Sequence, residues 1–313
     1  MKSLISIVIP THNEERSIPE LHSRLNAVMN TSDYLFELIF VDDSTDQTPR
    51  LISELLKADS RIRLIRLTRS FGQTSAIQAG LDVAAGEAVV MMDADLQDPP
   101  ETIPLFLQKW KLGYKVVYAV RPSQGKWAYR VASTIFYELL ARLSSTTIPR
   151  NAGEFRLLDR TVVDIVNSMP DKNRFMRGLT MWSGHQAIGV SVARDSRRSG
   201  TSSYNFRRSL LVAVDGLIGH SLAPLRLVPL VGLATLSMTF VIAVVLLVAS
   251  LLGNAGFMAS WAPIVLVVAT IGGLNILMMG VVAEYLGQIF RAIQDRPHYV
   301  VLEDSNSNRE QKN

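Results

Sequence analysis

Short apolar runs alternate with amphipathic segments over roughly the first 120 residues of the chain. The apolar runs are strand-like in length and mostly end in polar clusters: Leu4–Ile9, Phe36–Val41, Ile62–Leu67, Glu87–Met92 and Val116–Val120. The segments between them have helical spacing of apolar side chains: Ser17–Met29, Thr48–Ala58, Gln73–Ala84 and about Ile103–Leu112. Strands that are almost wholly apolar predict an α/β fold, with a mostly parallel sheet covered by helices on both faces.

A much longer apolar stretch follows later in the chain. No Asp, Glu, Lys, Arg or His occurs between Arg226 and Glu284. This exceeds the roughly 20 residues that one helical membrane crossing needs. Because the turn formers Gly253-Asn254-Ala255-Gly256 interrupt the stretch, we predict two transmembrane helices, at about 227–252 and 261–283. A buried helical hairpin of a soluble protein is the weaker alternative, since such helices usually keep a polar stripe.

Basic residues flank the apolar stretch but are missing from the loop inside it. They stand on both outer sides, at Arg207, Arg208, Arg226, Arg291 and Arg296. Because basic flanks stay on the cytoplasmic side, we expect an integral inner or plasma membrane protein with its N-terminal part in the cytoplasm. Two further segments, Lys126–Ser144 and Ser209–Leu222, are amphipathic. They either lie in the membrane interface or pack on the protein's own core, and the sequence leaves both open.

These patterns predict four regions along the chain. Residues 1–205 would form a cytoplasmic catalytic domain, and 206–225 a juxtamembrane amphipathic helix. Residues 226–290 would hold the two transmembrane helices. The remainder, 291–313, would be a cytoplasmic tail whose polar end, from Glu303 to Asn313, is disordered.

Composition narrows the possible chemistry. The chain has 313 residues, of which 48% are hydrophobic, and no cysteine, so disulfides and thiolate metal sites are excluded. Its five histidines are scattered without metal-ligand spacing. The net charge of +4 fits a protein that rests on anionic membrane lipid. It is too small to indicate nucleic acid as a partner, and no nucleic-acid recognition motif is present.

Asp93-Ala94-Asp95 comes directly after the apolar run that ends at Met92. Two carboxylates one residue apart at the end of a strand should point to the same side, because side chains alternate along a strand. Two like charges that close need a cation or hydrogen-bond donors between them. Hard oxygen ligands suit Mg²⁺ or Mn²⁺, which commonly bridge a carboxylate and the phosphates of a substrate. A solvated acidic turn is the plain alternative for an isolated pair.

Two more polar clusters end predicted strands, at Pro10–Glu14 and Asp42–Asp46. Ligands of parallel α/β sheets bind beyond the carboxyl ends of the strands, so the three clusters should meet at one crevice. No Gly-x-Gly-x-x-Gly or Walker loop occurs to cradle phosphates. A carboxylate-rich nucleotide site without such a loop therefore needs a metal to neutralise a diphosphate.

With these clusters, the chain resembles the family 2 glycosyltransferases of GT-A fold, in their polyprenyl-phosphate glycosyltransferase branch. The resemblance covers nearly the whole chain and rests on these segments: Val8–Glu14, Val41–Ser44, Asp93–Glu101, Asn151–Arg160, Arg174–Gly178 and Arg198–Tyr204. Two positions depart from the family pattern. Ser203 stands where a Lys is usual, and Glu154 where an Asp is common.

The resemblance implies a role for each candidate residue. Nucleotide-sugar binding would fall to Pro10, Thr11, Asn13, Glu14, Asp42, Asp43, Asp93, Ala94 and Arg198. Asp42 and Asp43 would hold the base and ribose, and Arg198 the leaving diphosphate. Asp95 would ligate the metal, with Gln97 beside it. Catalytic roles would belong to Asp93, Asp95 and Glu154, the last orienting the sugar or the acceptor.

The acceptor implied by the resemblance is a polyprenyl phosphate. Guanidinium and ammonium groups bind phosphate well, so Arg121, Lys126 and Arg130 are the candidates, with Arg156 and Arg177 as weaker ones. The expected reaction moves a hexose from a UDP-sugar, with glucose favoured, onto undecaprenyl or a related phosphate. The nucleophile is already ionised near neutral pH, so one displacement with inversion needs no strong base.

Alternatives remain open at this point. A dolichyl-phosphate mannose synthase-like enzyme would use GDP-mannose, and a membrane-anchored nucleotide-binding scaffold would not catalyse at all. A processive polysaccharide synthase is disfavoured, because its Gln-x-x-Arg-Trp motif is absent. Two spans cannot carry a lipid-linked sugar across a bilayer, so a downstream flippase is expected. Gly272-Gly273 and Gly280 would allow close helix packing and hence a homo-oligomer.

Overall fold

The fold is taken from a computed structural model of the chain. The structure describes residues 2–120, 152–170, 176–192, 223–251, 262–294 and 296–306. These residues divide into two compact units. The first contains the described residues up to 192 together with 296–306, and the second contains the described residues from 223 to 294. Each unit is taken by itself below.

The first unit is built from alternating strands and helices. Its strands are β1 (Leu4–Thr11), β2 (Leu35–Asp42), β3 (Ile62–Leu67), β4 (Ala88–Met91), β5 (Val116–Val120), β6 (Ala152–Asp159), β7 (Ala187–Ser191) and β8 (Val301–Asp304). Its helices are α1 (Ile18–Asn30), α2 (Thr48–Ala58), α3 (Gln73–Val83), α4 (Ile103–Lys111), α5 (Arg160–Ser168) and α6 (Met176–Trp182), with a 3₁₀ turn at Pro100–Thr102.

The described strands form one eight-stranded sheet in the order β7-β5-β6-β4-β1-β2-β3-β8. The central strands β4, β1, β2 and β3 run parallel. β6 runs antiparallel to both of its neighbours, β4 and β5, and β8 runs antiparallel to β3. The prediction of a mostly parallel α/β sheet is therefore confirmed, although the sheet is mixed.

Helices cover both faces of the sheet, as the apolar strands predicted. On one face α1, α2 and α4 bury side chains such as Leu21, Ile52 and Phe106 against the sheet. On the other face α3 and α5 bury Ile77 and Val162. Each central strand alternates between the two cores, which is why its sequence is apolar at nearly every position.

Close packing of α3 on the sheet depends on a glycine. A Cβ added at Gly80 would collide with the Cγ1 methyl of Val8 in β1. The helix axis can therefore approach the strand more closely than any larger residue would allow. This packing holds the first residue of α3, Gln73, at the edge of the sheet where β4 ends.

The C-terminal strand β8 corrects one prediction. The polar sequence from Glu303 was expected to begin a disordered tail, yet Glu303 and Asp304 lie in a strand paired with β3. Arg63 forks onto Asp304 through Nε and Nη2, at 3.1 and 2.6 Å, and Tyr299 donates a hydrogen bond to Asp82 at 2.7 Å. The backbone pairing with β3 and these side-chain contacts hold the strand in the sheet, and the strand covers the edge of β3. Residues 307–313 lie outside the described residues.

The second unit contains two long apolar helices that contact each other, α7 (Ala223–Leu251) and α8 (Ala262–Ile293). Within the part of the chain that is described, one window is long and apolar enough to cross a membrane, Thr270–Gly287, with a mean hydropathy of 1.3. The apolar segment of α7, Val228–Ile242, is shorter than that criterion requires. The prediction of two transmembrane helices is thus matched by two helices, and membrane crossing itself stays a prediction.

The boundaries predicted for the first unit were close to those observed. α2, β3 and β5 have the predicted limits, and the other predicted elements differ by one or two residues at an end. α8 extends to Ile293, ten residues past the predicted end of the second span. Both predicted amphipathic segments, Lys126–Ser144 and Ser209–Leu222, lie outside the described residues.

Candidate active site at the carboxyl edge of the sheet

The carboxyl ends of β1, β2 and β4 meet at one edge of the sheet because the three strands are parallel neighbours. The register pairs Thr11 with Asp42 at the last position of β1 and β2. β4 ends at Met91, and the backbone N–H of Met92 still donates to the carbonyl of Val8. The three polar clusters predicted from the sequence therefore lie together.

Asp42 is the most deeply buried carboxylate of this edge, with 1% of its surface exposed. Its Oδ1 accepts hydrogen bonds from the hydroxyls of Thr11 and Ser44, at 2.9 and 2.6 Å. Burial raises the pKa of Asp42, and the hydrogen bonds from Ser44 and Thr11 offset only part of that rise. The carboxylate is thus held rigidly, with its charge in a poorly solvated position.

Asp43 and Asn13 tie the ends of β1 and β2 together. The carboxylate of Asp43 lies 2.6 Å from the Nδ1 atom of His12. Asn13 has a positive φ of 58°; Asn tolerates this conformation better than most residues. In it, the Asn13 N–H donates to the hydroxyl of Ser44 at 2.8 Å, and its side-chain oxygen accepts from the N–H of Thr45 at 2.9 Å. The two loops form one hydrogen-bonded surface.

Pro10 and Glu14 lie on either side of this surface. Pro10 is the half-buried penultimate residue of β1. The N–H of Glu14 donates to the hydroxyl of Thr48 at 2.9 Å, and its carboxylate accepts from the hydroxyl of Ser17 at 2.7 Å. Glu14 is therefore turned toward the start of α1.

The segment that follows β4 is a turn and not a continued strand. Asp93 and Asp95 lie beyond Met91, where the strand ends, so strand alternation does not set their directions as the sequence suggested. Instead Asp95 Oδ1 accepts from the N–H of Gln97 at 3.1 Å, across Leu96 with its positive φ of 62°. The turn orients the Asp95 carboxylate through backbone geometry.

The remaining residues of this turn are buried or hydrogen-bonded. Ala94 and Gln97 are each 3% exposed, and Asp98 is 2% exposed. The side-chain amide of Gln73 donates to Asp93 Oδ1. No group of three His, Cys, Asp or Glu side chains with metal-binding geometry exists among the described residues. The turn contains the carboxylates of Asp93 and Asp95, and Mg²⁺ is an ion usually held by one or two carboxylates, substrate phosphates and water.

β6 brings a second charged group to the same edge. Met91, the last residue of β4, pairs with Arg156 of β6. Because β6 is antiparallel to β4, Glu154 lies two residues beyond Arg156 at the end of β6 that is near the carboxyl end of β4. Arg177 Nε donates to Glu154 Oε1 at 2.6 Å. Arg156 is fully buried, and burial, which outweighs the attraction of Glu154, lowers its pKa to about 10.

The fold and the polar clusters at its edge have counterparts in known proteins. The family model described as "Glycosyl transferase family 2" matches residues 6–166, which include most of β1 and all of β2 to β6. The chain belongs to glycosyltransferase family 2. It is therefore a glycosyltransferase, and its mostly parallel α/β sheet is GT-A-like, as the resemblance implied.

Relatives match this glycosyltransferase over almost its full length. It is 37% identical to the "Uncharacterized glycosyltransferase YkcC" of Bacillus subtilis (strain 168), over 95% of this chain and 92% of the relative. It is 33% identical to the "SfII prophage-derived bactoprenol glucosyl transferase" of Shigella flexneri, over 97% of this chain and 99% of the relative. A "prophage bactoprenol glucosyl transferase homolog" of Escherichia coli (strain K12) is 32% identical, over 95% of this chain and 98% of the relative.

Among solved structures, the glycosyltransferase is similar to glucosyl-3-phosphoglycerate synthase of Mycobacterium tuberculosis in complex with phosphoglyceric acid. The sequence identity is 20% and the TM-score 0.46, over 68% of this chain and 79% of that one.

The structure brings together most of the residues predicted for the site. Those at the described edge are Pro10, Thr11, Asn13, Glu14, Asp42, Asp43, Asp93, Ala94, Asp95, Gln97 and Glu154. Arg121, Lys126, Arg130 and Arg198 lie outside the described residues. Their predicted roles in binding phosphate stay predictions.

Sequence reasoning missed several residues that shape the site. His12 and Ser44 stood inside the predicted motifs, and hydroxyl and imidazole groups next to paired carboxylates could have marked them as partners. Gln73 had no signal, because its contact with Asp93 depends on the packing of α3. Arg156 was not missed but was assigned the wrong role: it was a weaker candidate for the acceptor phosphate, and the structure buries it completely against Gly153 and Thr180. A charged residue inside the apolar run of β6 could have indicated this buried position.

Proposed function

We propose that this glycosyltransferase moves glucose from UDP-glucose to a polyprenyl phosphate, such as undecaprenyl phosphate, at the cytoplasmic face of a membrane. The observation that carries the proposal is the near full-length match to proteins named bactoprenol glucosyl transferase, which includes the apolar helices as well as the sheet. A relative that shared only the sheet would support a nucleotide-sugar enzyme but no lipid acceptor.

The donor would bind at the carboxyl edge of the sheet. Asp42 and Asp43 would accept hydrogen bonds from the base and the ribose, with Pro10, Thr11 and Asn13 shaping the pocket. This fits the rigid hydrogen-bonded surface that Thr11, Ser44 and Asn13 build around the two carboxylates. A carboxylate that is already fixed loses little entropy when a ligand binds to it.

A divalent cation, Mg²⁺ or Mn²⁺, would be held by Asp95, with Asp93 and Gln97 beside it. When bound, such an ion would offset the negative charge that builds up on the diphosphate as it leaves. The support is the set of hard oxygens at this edge and the turn that orients Asp95 toward a fixed position. The sequence has no glycine-rich phosphate loop, so such an ion would supply much of the positive charge that offsets a diphosphate.

The apolar helices support the proposed attachment to a membrane. Large apolar side chains are exposed all along α7 and α8, with Phe240 and Ile276 at 69% and 74% exposure. A helix of 29 residues is roughly 43 Å long, enough to cross the hydrocarbon core of a bilayer. The chain leaves the sheet after β7 and returns to it as β8. An even number of crossings is therefore required, and two crossings with the sheet in the cytoplasm satisfy it.

The reaction would be a single displacement at the anomeric carbon. An oxygen of the lipid phosphate forms the new bond, and the bond to the nucleoside diphosphate breaks. No proton has to be removed from the phosphate, so this chain's residues mainly bind, orient and exclude water. Arg121, Lys126 and Arg130 would hold the acceptor phosphate, and Arg198 the diphosphate. One displacement predicts a β-linked product from an α-linked donor, and an α-linked product would refute it.

Transfer of label tests the proposal. Purified protein is incubated with UDP-[¹⁴C]glucose, undecaprenyl phosphate and Mg²⁺ or Mn²⁺, and radioactivity is measured in the solvent-extractable lipid. Label should enter the lipid only with a metal present, and Asp95→Ala should reduce transfer at least 100-fold while the protein stays folded. Transfer from GDP-mannose but not from UDP-glucose would show that GDP-mannose is the donor. Nucleotide binding without any transfer would indicate a scaffold.

The expected partners follow from the same scheme. A lipid-linked sugar made in the cytoplasm needs a separate flippase to reach the other leaflet. We also expect a homo-oligomer that packs through the small residues of α8. Cross-linking in native membranes would show the oligomer as a ladder of discrete bands.

A further inference from the structure

One carboxylate of the site lies between two guanidinium groups. Glu154 Oε1 accepts a hydrogen bond from Arg177 Nε at 2.6 Å, and Glu154 Oε2 lies 3.8 Å from Arg156 Nη2. Glu154 is paired with both arginines, so this Arg156–Glu154–Arg177 cluster has one excess positive charge. An excess charge in a partly desolvated place is costly unless an anion compensates it.

The two arginines do different work. Arg156 is fully buried and donates to the carbonyl of Gly153 at 2.7 Å and to the hydroxyl of Thr180 at 2.6 Å. It therefore joins β6 to α6 and cannot reach a ligand. Its pKa of about 10 still leaves it protonated near neutral pH. Arg156 is therefore a fixed, buried positive charge on the side of the cluster away from solvent.

Arg177, in contrast to Arg156, is partly exposed. Its side chain is 32% exposed, and within the described part of the chain it makes one hydrogen bond, through Nε. A guanidinium held by Nε keeps the fork of its two terminal nitrogens available, and that fork matches two oxygens of a phosphate. Glu154 thus removes much of the freedom of Arg177 before any ligand arrives.

The cluster borders the proposed donor site. The register of β4 and β6 pairs Met91 with Arg156, so Glu154, two residues along β6, lies at the edge of the sheet where β4 ends and Asp93 follows. The polar side chains on the described surface of this edge are mostly acidic or neutral, from Asp42 and Asp43 to Asp95. A cationic side chain beside such an edge would reduce the repulsion between these carboxylates and a substrate phosphate.

We propose that Arg177 binds a phosphate group of a substrate and that Glu154 and Arg156 are positioning residues for it. The proposal rests on the proposed function and deepens it. The phosphate belongs either to the nucleoside diphosphate of the donor or to the lipid acceptor, since both have the same oxygen pattern. Glu154 then acts through Arg177 and needs no contact of its own with the sugar.

Three variants test the proposal: Arg177→Gln, Arg177→Lys and Glu154→Gln. The matched control is Arg50→Gln, because Arg50 also pairs through Nε with a glutamate, Glu54, at 3.3 Å on the exposed surface of α2. For each purified full-length variant, titration calorimetry gives two dissociation constants, one for UDP with Mg²⁺ and one for undecaprenyl phosphate in detergent. The label assay adds KM for undecaprenyl phosphate. Thermal unfolding reports whether the variant is folded.

Arg177→Gln should weaken binding of one phosphate ligand about 10- to 100-fold, the range expected for a lost charged hydrogen-bonding pair. Arg177→Lys should recover part of the loss, because it keeps the charge without the fork. Glu154→Gln should weaken the same ligand about 3- to 10-fold, and Arg50→Gln should stay within twofold. A rise in Kd for UDP assigns the donor diphosphate, and a rise only in KM for the lipid assigns the acceptor.

A different result is expected if Arg177 has a purely structural role and only joins α6 to β6. Both constants would then stay within twofold of the wild type while the unfolding temperature falls, and this would overturn the proposal. If Arg177→Gln does not fold, Arg177→Lys decides by the same criteria. Absence of lipid labelling in the wild type would refute the proposed function alone, because direct binding of UDP and of undecaprenyl phosphate is measured without turnover.

Discussion

Replacing Asp159 with Asn measures how much one buried carboxylate stabilises the sheet. Asp159 is the last residue of β6 and the N-cap of α5. Its Oδ2 accepts from Trp110 Nε1 at 2.7 Å and from Lys115 Nζ at 2.9 Å, and its Oδ1 accepts from the N–H of Thr161 at 3.1 Å. Burial pushes its pKa upward, but the hydrogen bonds from Trp110, Lys115 and Thr161 outweigh burial and hold the pKa at about 2.

The size of the effect follows from the shift from 3.8 to about 2. Each pKa unit corresponds to about 1.4 kcal/mol, so the charged carboxylate adds about 2 kcal/mol to the free energy of unfolding. Because the folded-state pKa is the lower one, this stabilisation is present above about pH 4 and is lost as the pH falls toward 2. By pH 3 roughly half of it, about 1 kcal/mol, should be gone.

Urea unfolding in detergent, followed by tryptophan fluorescence, provides the measurement. Asp159→Asn keeps an N-capping side chain but removes the charge, and it should be less stable than the wild type by about 2 kcal/mol at pH 6. The difference between the two proteins should narrow by about 1 kcal/mol between pH 6 and pH 3. Asp33→Asn, an exposed carboxylate, controls for the loss of one charge. A difference that is constant with pH would refute the reasoning.

Two further predictions concern packing and the C-terminal strand. Gly80→Val should cost about 3 kcal/mol in the same urea experiment, because its side chain would enter the space of Val8; an unchanged midpoint would contradict the packing described for α3. Asp304→Ala should remove the forked pair with Arg63 and cost about 1–2 kcal/mol. Hydrogen exchange of the peptide that contains β8 should then speed up selectively, whereas unchanged protection would show that backbone pairing alone holds the strand.

Local patterns predicted the central part of the fold well. β1 to β5 and α1 to α4 are short elements whose apolar spacing reflects burial on one or both faces. In such segments local preference and tertiary packing agree, so the pattern can be interpreted directly. The same holds for the clusters at the ends of β1, β2 and β4, because parallel neighbours place their carboxyl ends at one edge.

The elements that were missed depend on partners far away in sequence. β8 is four residues long and mostly polar or exposed, and its order comes from pairing with β3 and from Arg63, more than 200 positions earlier. β6 was recognised as a motif but not as a strand, and its antiparallel direction depends on how the chain returns to the sheet. Neither the order of β8 nor the direction of β6 can be inferred from the spacing of apolar residues within the segment itself.

By itself, the sequence determined the class of the fold, the order of the central elements, the edge where the carboxylates gather and the two apolar helices. These depend on hydrophobic periodicity and on the spacing of charges, which are local properties. Only the tertiary structure decided that Asp93 and Asp95 lie in a turn, that Gln73 reaches Asp93, and that Glu154 lies between Arg156 and Arg177. Those arrangements depend on strand register and helix packing, and the energy of a buried charge depends on its neighbours in space.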